Sequence, residues 1–224
     1  MAVRLSLAVL LVLCCASHAS GQIAATHVQD AAPQAPQDGA GTTGAAWLFS
    51  AAVYIYQVPD DRNYPQVTLT SDRNRLHLEA RYNYEDLDSG SVWLGYNLQG
   101  GQQVAWEFTP MLGGIFGHTS GFAPAYKGSV SWRNLELSSE GEYVFAAAES
   151  SENFFYNWSE LAFAPAEWWR IGLVTQRTHV YATERDIQRG LLVGFTYKAF
   201  DSAIYVLNPD DSKPVVVAAV TVSF

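Results

Sequence analysis

The chain has 224 residues and a formal net charge of −9, from 13 Lys and Arg against 22 Asp and Glu. That acidic balance, without a basic stripe or any interleaving of aromatic and basic residues, excludes nucleic acid as a partner. Both cysteines, Cys14 and Cys15, lie in one apolar run near the amino terminus, so the rest of the chain uses no disulfide.

Arg4 followed by the apolar run Leu5 to Cys15 and the small residues Ala16 to Gly21 reads as an export signal, residues 1–21, cut after Ala19 or Gly21. The run is shorter than the roughly 20 residues of a spanning helix. Leu13 or Cys14 stands where a lipidated cysteine wants a small residue, so no lipid anchor is expected. Residues 22–46, rich in Ala, Gln, Pro, Gly and Thr, cannot bury enough apolar surface to fold and are expected to form a disordered leader.

From 47 to 224 the pattern changes to short segments of period two. Arg75 to Tyr84 is the clearest: Arg75, His77, Glu79, Arg81 and Asn83 alternate with Leu76, Leu78, Ala80, Tyr82 and Tyr84. Successive side chains of a strand point to opposite faces, so this is a strand with one polar and one apolar side. In chain order the expected strands are 47–58, 64–71, 75–84, 91–98, 103–114, 126–137, 142–148, 153–163, 168–180, 190–200, 202–207 and 214–224. Tight turns at 72–74, 99–102, 138–141, 164–167 and 201 alternate with longer or more acidic loops at 59–62, 85–90, 115–125, 149–152, 181–189 and 208–213. Short turns at one end, longer loops at the other and an even strand count describe an all-β, closed antiparallel up-and-down transmembrane barrel of about 12 strands, or 10 if one hairpin merges.

The polar faces carry glycine and little lysine, as at Gly190, Gly194, Thr196 and Lys198, which suits a narrow interior better than a face in bulk water. Trp47, Tyr82, Trp132, Trp168, Trp169 and Tyr197 fall at or near strand ends, where two interfacial girdles are expected. Val216, Ala218, Val220, Val222 and Phe224 share one face of the last strand, which resembles the carboxy-terminal assembly signal of bacterial outer-membrane barrels, with Val220, Val222 and Phe224 as its core. It departs in lacking the upstream glycine and strongly polar residue, and Val215 and Val217 make both faces apolar at its start. The resemblance implies the outer membrane of a Gram-negative-type bacterium, with membrane lipid and the barrel-assembly machinery as partners. It leaves the oligomeric state open.

With the apolar faces outward, the polar rows name the lumen: Arg75, His77, Glu79, Arg81, Glu107, Lys127, Arg133, Arg170 and Lys198. This mainly basic set predicts a small passive channel, porin-like, with weak preference for anionic small solutes; alternatively the same residues pair and plug a closed barrel. A second reading is an outer-membrane lipid-modifying acyl hydrolase. Gly117-His118-Thr119-Ser120-Gly121 resembles the His-x-Ser element of outer-membrane phospholipases and lipid A deacylases, with His118 as base, Ser120 as nucleophile and Glu107 as orienting acid. Gly121 stands where those families have asparagine. The remaining alternatives are a closed structural or adhesive barrel and a soluble secreted β-sandwich or lipocalin-like carrier. The acidic loops lack calcium-loop spacing and no histidines are spaced for zinc, so no metal or cofactor is expected.

Overall fold

A computed structural model describes residues 46–147, 153–180 and 186–224. The expected export signal and almost all of the expected leader lie outside the described residues. Extended chain dominates the rest: β1 (Leu48–Gln57), β2 (Tyr64–Arg73), β3 (Leu76–Tyr82), β4 (Ser89–Tyr96), β5 (Leu98–Gly100), β6 (Ala105–Gly117), β7 (Gly121–Trp132), β8 (Leu135–Ala146), β9 (Phe154–Ala166), β10 (Trp169–Val180), β11 (Asp186–Tyr197), β12 (Phe200–Leu207) and β13 (Val215–Ser223). β4 and β5 are two stretches of one strand broken at Asn97, since both pair with β6 in one continuous register, Gly95 opposite Met111 and Leu98 opposite Phe108. The ring therefore has twelve strands. Each pairs antiparallel with its chain neighbours, and β1 pairs with β13 to close it.

Closure is sealed at the chain end. Phe49 and Phe224 exchange both backbone hydrogen bonds at 2.9 Å, and their rings stack with centroids 5.9 Å apart. A closed ring leaves no strand edge, so no row of N–H and C=O groups faces the surroundings unpaired.

The two faces sort as the alternation of β3 requires. His77, Glu79 and Arg81 are buried inside, while Leu76, Leu78 and Tyr82 face out. Around the wall the outward residues are large and apolar, with Leu69 51%, Val92 55%, Leu112 60% and Leu173 55% exposed. An apolar belt this continuous outside a polar interior inverts the soluble sandwich or carrier, and its natural solvent is hydrocarbon. The inward glycines serve close packing. At Gly113 a Cβ would sit 2.4 Å from the Trp93 indole, and at Gly194 it would sit 2.7 Å from the Arg170 guanidinium, so each glycine makes room for a neighbouring strand's large side chain.

Two turns lie elsewhere than the sequence predicts. The β7–β8 reversal is Arg133–Asn134, with Arg133 at φ 55°, instead of 138–141. The β11–β12 reversal is at Lys198–Ala199, with Lys198 at φ 56°, instead of Asp201. Arg and Lys carry no signal for the left-handed region, whereas Ser138 to Gly141 looks like a turn. The β6–β7 loop is also shorter than expected, only His118 to Ser120. As a result β7 starts earlier, β8 runs longer, and Glu140 and Asp201 become strand residues.

Deleting Phe224 removes the seal between β1 and β13. The folded, fast-migrating form of the unheated protein on a denaturing gel is expected to convert to the slow form at a lower temperature, and Phe224→Tyr is expected to restore the original temperature.

Candidate functional site: a half-open lumen

The interior divides into two halves at about mid-barrel. Toward the short-turn end lies a cavity of about 570 Å3. Its rim includes Leu48, Phe49, Arg133, Asn134, Ser223 and Phe224, all at the short-turn and terminal end, and it reaches inward as far as Tyr56, Tyr84 and Tyr156. No residue of the 58–63, 85–88, 118–120 or 208–213 loops lines it. Toward those loops the interior is packed. Val144, Leu207 and Val217 are 0% exposed although they point inward, and Trp93, Ile115, Ala123, Val174 and Leu192 are nearly as dry. Among the described residues, the lumen is a vestibule with a stopper.

Arg81 is the centre of the stopper. Its Nε donates to Glu79, its Nη1 donates to Glu142 Oε2 at 2.8 Å, and Glu85 Oε1 lies 3.6 Å from the same Nη1. Its guanidinium is sandwiched between Tyr84 and Trp93, 4.1 and 4.5 Å from their ring centroids, the arrangement in which a planar cation gains from both π faces. The Trp93 indole N–H donates to Ser91 Oγ at 2.8 Å, and Ser91 in turn donates to Glu85 Oε1 at 2.6 Å. A guanidinium this deeply buried is tolerable only because carboxylates from three elements surround it.

The vestibule wall is a second set of pairs. Asp72 and Glu79 accept from opposite nitrogens of His77, at 2.8 and 3.1 Å, an arrangement in which an imidazolium donates both ways. Lys127 Nζ lies 2.7 Å from Glu79 and 3.7 Å from Glu140, to which the Tyr84 hydroxyl also donates. Arg170 is bidentate on Asp201, at 2.6 and 2.8 Å, and Thr196 donates to the same carboxylate at 2.7 Å. Glu107, Glu136 and Glu160 line the cavity as well.

Of the residues expected in the lumen, His77, Glu79, Arg81, Glu107, Lys127 and Arg170 are there. Arg133 sits on the rim with its guanidinium 4.8 Å over Trp132. Arg75 and Lys198 are not in the lumen. Both occupy short turns, where Arg75 donates to Tyr96 at 2.8 Å and Lys198 lies over Tyr197. All six of Asp72, Glu136, Glu140, Glu142, Glu160 and Asp201 face inward: turns expected at 72–74, 138–141 and 201 hide Asp72, Glu140 and Asp201, while Glu136, Glu142 and Glu160 fall in expected strands but outside the polar rows assigned to the lumen. Among the described residues the lumen's carboxylates outnumber its cations, which reverses the basic excess expected of it.

At the loop end, His118 Nδ1 and Asp86 Oδ2 are 2.7 Å apart, and Thr119 donates to the same oxygen at 2.7 Å. Ser120 turns away and donates weakly to the Gly117 carbonyl at 3.5 Å, so no hydrogen bond joins it to His118. Glu107 lines the vestibule at the other half of the barrel and does not orient the histidine. The His-x-Ser segment is thus a loop tie between the β3–β4 and β6–β7 connections. Donating to Asp86 raises the His118 pKa above its ordinary value; at Asp86 partial burial works upward, but the bonds it accepts from Thr119 and His118 outweigh that and lower its carboxyl. The tie is therefore strongest between those two values, loosening as pH rises through the raised His118 value or falls through the lowered Asp86 value.

No family model matches the chain, and no curated protein matches it in sequence. Its geometry is that of a closed twelve-stranded antiparallel barrel. The KdgM porin superposes with a TM-score of 0.60 at 12% identity, covering 78% of this chain and 99% of that one. A KdgM porin in complex with disordered oligogalacturonate gives 0.58 at 11%, over 78% and 99%, and the NanC porin gives 0.55 at 11%, over 79% and 98%. At such identities the likeness establishes the fold.

Two outcomes are expected. Arg170→Ala strands Asp201 in the wall and lowers barrel stability by about 3–5 kcal/mol in urea-gradient refolding, the usual cost of removing one partner of a buried pair. In a proton NMR titration, Asp86→Asn returns the His118 imidazole toward the ordinary value of about 6.5.

Proposed function

We propose that this chain is an outer-membrane barrel of the porin class that passes small solutes passively, exported by its amino-terminal segment to the outer membrane of a Gram-negative-type bacterium. The vestibule carries this reading: a solvent-sized, charge-lined cavity entering from the short-turn end of a closed barrel serves no packing purpose. The expected preference for anions gives way to a preference for small cations, because Glu107, Glu136, Glu140 and Glu160 face the cavity while Lys127 and Arg170 are held by carboxylates. Fixed charge in a narrow, low-dielectric passage sets the sign of the ions it concentrates.

In the conformation described, conduction requires the Arg81–Trp93 layer to part. That layer also favours a second reading, a permanently closed structural barrel. Single-channel recording in planar bilayers separates the two. The porin reading expects rare, small openings with a cation-biased reversal potential in a salt gradient. Trp93→Ala, which cuts the indole out of the stopper at a cost of about 3–5 kcal/mol, is expected to raise open probability severalfold. Glu107→Gln with Glu136→Gln is expected to shift the reversal potential toward zero. Silence from both the unaltered protein and the Trp93→Ala variant, in barrels that remain folded, selects the closed barrel.

A further inference from the structure

The charges outside the lumen are divided between the two ends of the barrel. Arg73, Arg75, Arg133 and Lys198 stand exposed at the short-turn end. Each lies against an outward-facing ring: Arg73 over Trp47 at 5.7 Å, Arg75 over Tyr96 at 5.7 Å, Arg133 over Trp132 at 4.8 Å and Lys198 over Tyr197 at 5.3 Å. Arg73, Arg133 and Lys198 form no ion pair among the described residues, and the acid exposed in those turns is Glu167. The other end is the reverse. Its described loops carry Asp60, Asp61, Asp86, Asp88, Asp210 and Asp211 against Arg62 and Lys213, and Lys213 is paired with Asp60. On the wall just below those loops, Arg189 lies beside Asp210 and Arg177 over Phe155. Tryptophan follows the same division. Trp47, Trp106, Trp132, Trp168 and Trp169 all stand on the outside at the short-turn end, whereas Trp93 and Trp158 are buried in the interior.

Indole and phenol rings at the end of a membrane barrel sit at the headgroup level. A cation stacked on such a ring is held at that level with it. With no carboxylate to neutralise it, the anion within its reach is a lipid phosphate. We propose that this rim is a binding surface for anionic phospholipid, a phosphodiester headgroup of net negative charge, in the leaflet at the short-turn end. Its layout fits lipid. The cations occupy the β2–β3, β7–β8 and β11–β12 turns, and with β4 and β5 counted as one strand each turn is four strands from the next, a third of the ring. A folded partner would meet one side of the barrel, whereas a shell of lipid meets all three sites at once. Each Lys or Arg near an anionic surface adds an attraction that fades within a Debye length. The acidic loops repel the same headgroup, so the barrel gathers anionic lipid in one leaflet and not in the other.

Because the outward tryptophans share this rim, their fluorescence reads which lipid surrounds it. The test refolds the full-length chain into phosphatidylcholine vesicles that contain an equal minor share of dibromo-phosphatidylglycerol or of dibromo-phosphatidylcholine. At about 0.01 M salt the brominated anionic lipid is expected to quench about twice as strongly as the zwitterionic one, and at about 1 M salt, where the Debye length is about 3 Å, the excess is expected to fall by more than half. Equal quenching by the two lipids at low salt overturns the proposal, and so does an excess that persists at high salt; neither reading needs a variant. Arg73→Gln, Arg75→Gln, Arg133→Gln and Lys198→Gln combined are expected to abolish the excess while leaving quenching by dibromo-phosphatidylcholine and the heat-induced gel shift unchanged. An excess that survives in that folded variant overturns the proposal. Arg73→Lys, Arg75→Lys and Arg133→Lys combined keep the charge and are expected to keep the excess. Its loss there would assign the arginines to packing on the rings and overturn the lipid site.

Discussion

The structure depends on one constraint: a chain surrounded by hydrocarbon must pair every backbone N–H and C=O with itself. An open sheet would leave two edges, each unsatisfied group costing several kcal/mol. Twelve antiparallel strands joined into a ring leave none, and the junction between the first strand and the last is where the ring is made. Phe49 and Phe224 meet there by paired backbone bonds and by ring stacking. The even strand number and the meeting of the start of β1 with the end of β13 at one rim both follow from that closure.

A second constraint comes from the narrow interior. Side chains that point inward at the level of the longer loops have too little room to stay solvated, so each charge there needs a fixed partner. Arg81 meets that demand with carboxylates and two aromatic faces, and Gly113 is what lets Trp93 lie close enough to be one of them. Small inward residues such as Ser129, Ser131, Ala162 and Ala164 have the opposite effect in the other half and leave the vestibule. The stopper and the cavity thus arise from the same wall by a change in side-chain size along the strands.

The alternation in β3 was legible because the pleat has a fixed period of two and because no bulk-water reading explains an outward row of Leu76, Leu78 and Tyr82. Strand number was legible for a similar reason, since merging β4 with β5 around Asn97 is invisible to a pattern that simply continues. Lumen charge was not. It turns on two reversals at Arg133 and Lys198, residues whose left-handed backbone has no composition signal, while Ser138 to Gly141 imitates a turn and is strand. The misplaced reversals move Glu140 and Asp201 from turn to lumen, and with Glu136, Glu142 and Glu160, which lie in expected strands but on a side not assigned to the lumen, they change the sign of the inferred selectivity. His118 and Ser120 illustrate a different limit: proximity in sequence places them in one loop, but Asp86, from another connection, decides what the histidine does.

By itself the sequence determined the all-β class, the strand periodicity and the separation into an apolar and a polar face, because those are local consequences of pleat and composition. Tertiary structure alone decided that Arg81 sits between Tyr84 and Trp93, that the lumen is open at one end and packed at the other, and that Tyr126, Ser139, Asn157 and Ser159 meet on the outer wall. Those arrangements depend on register and ring closure, which bring separate strands together, and none of them is encoded in any single segment.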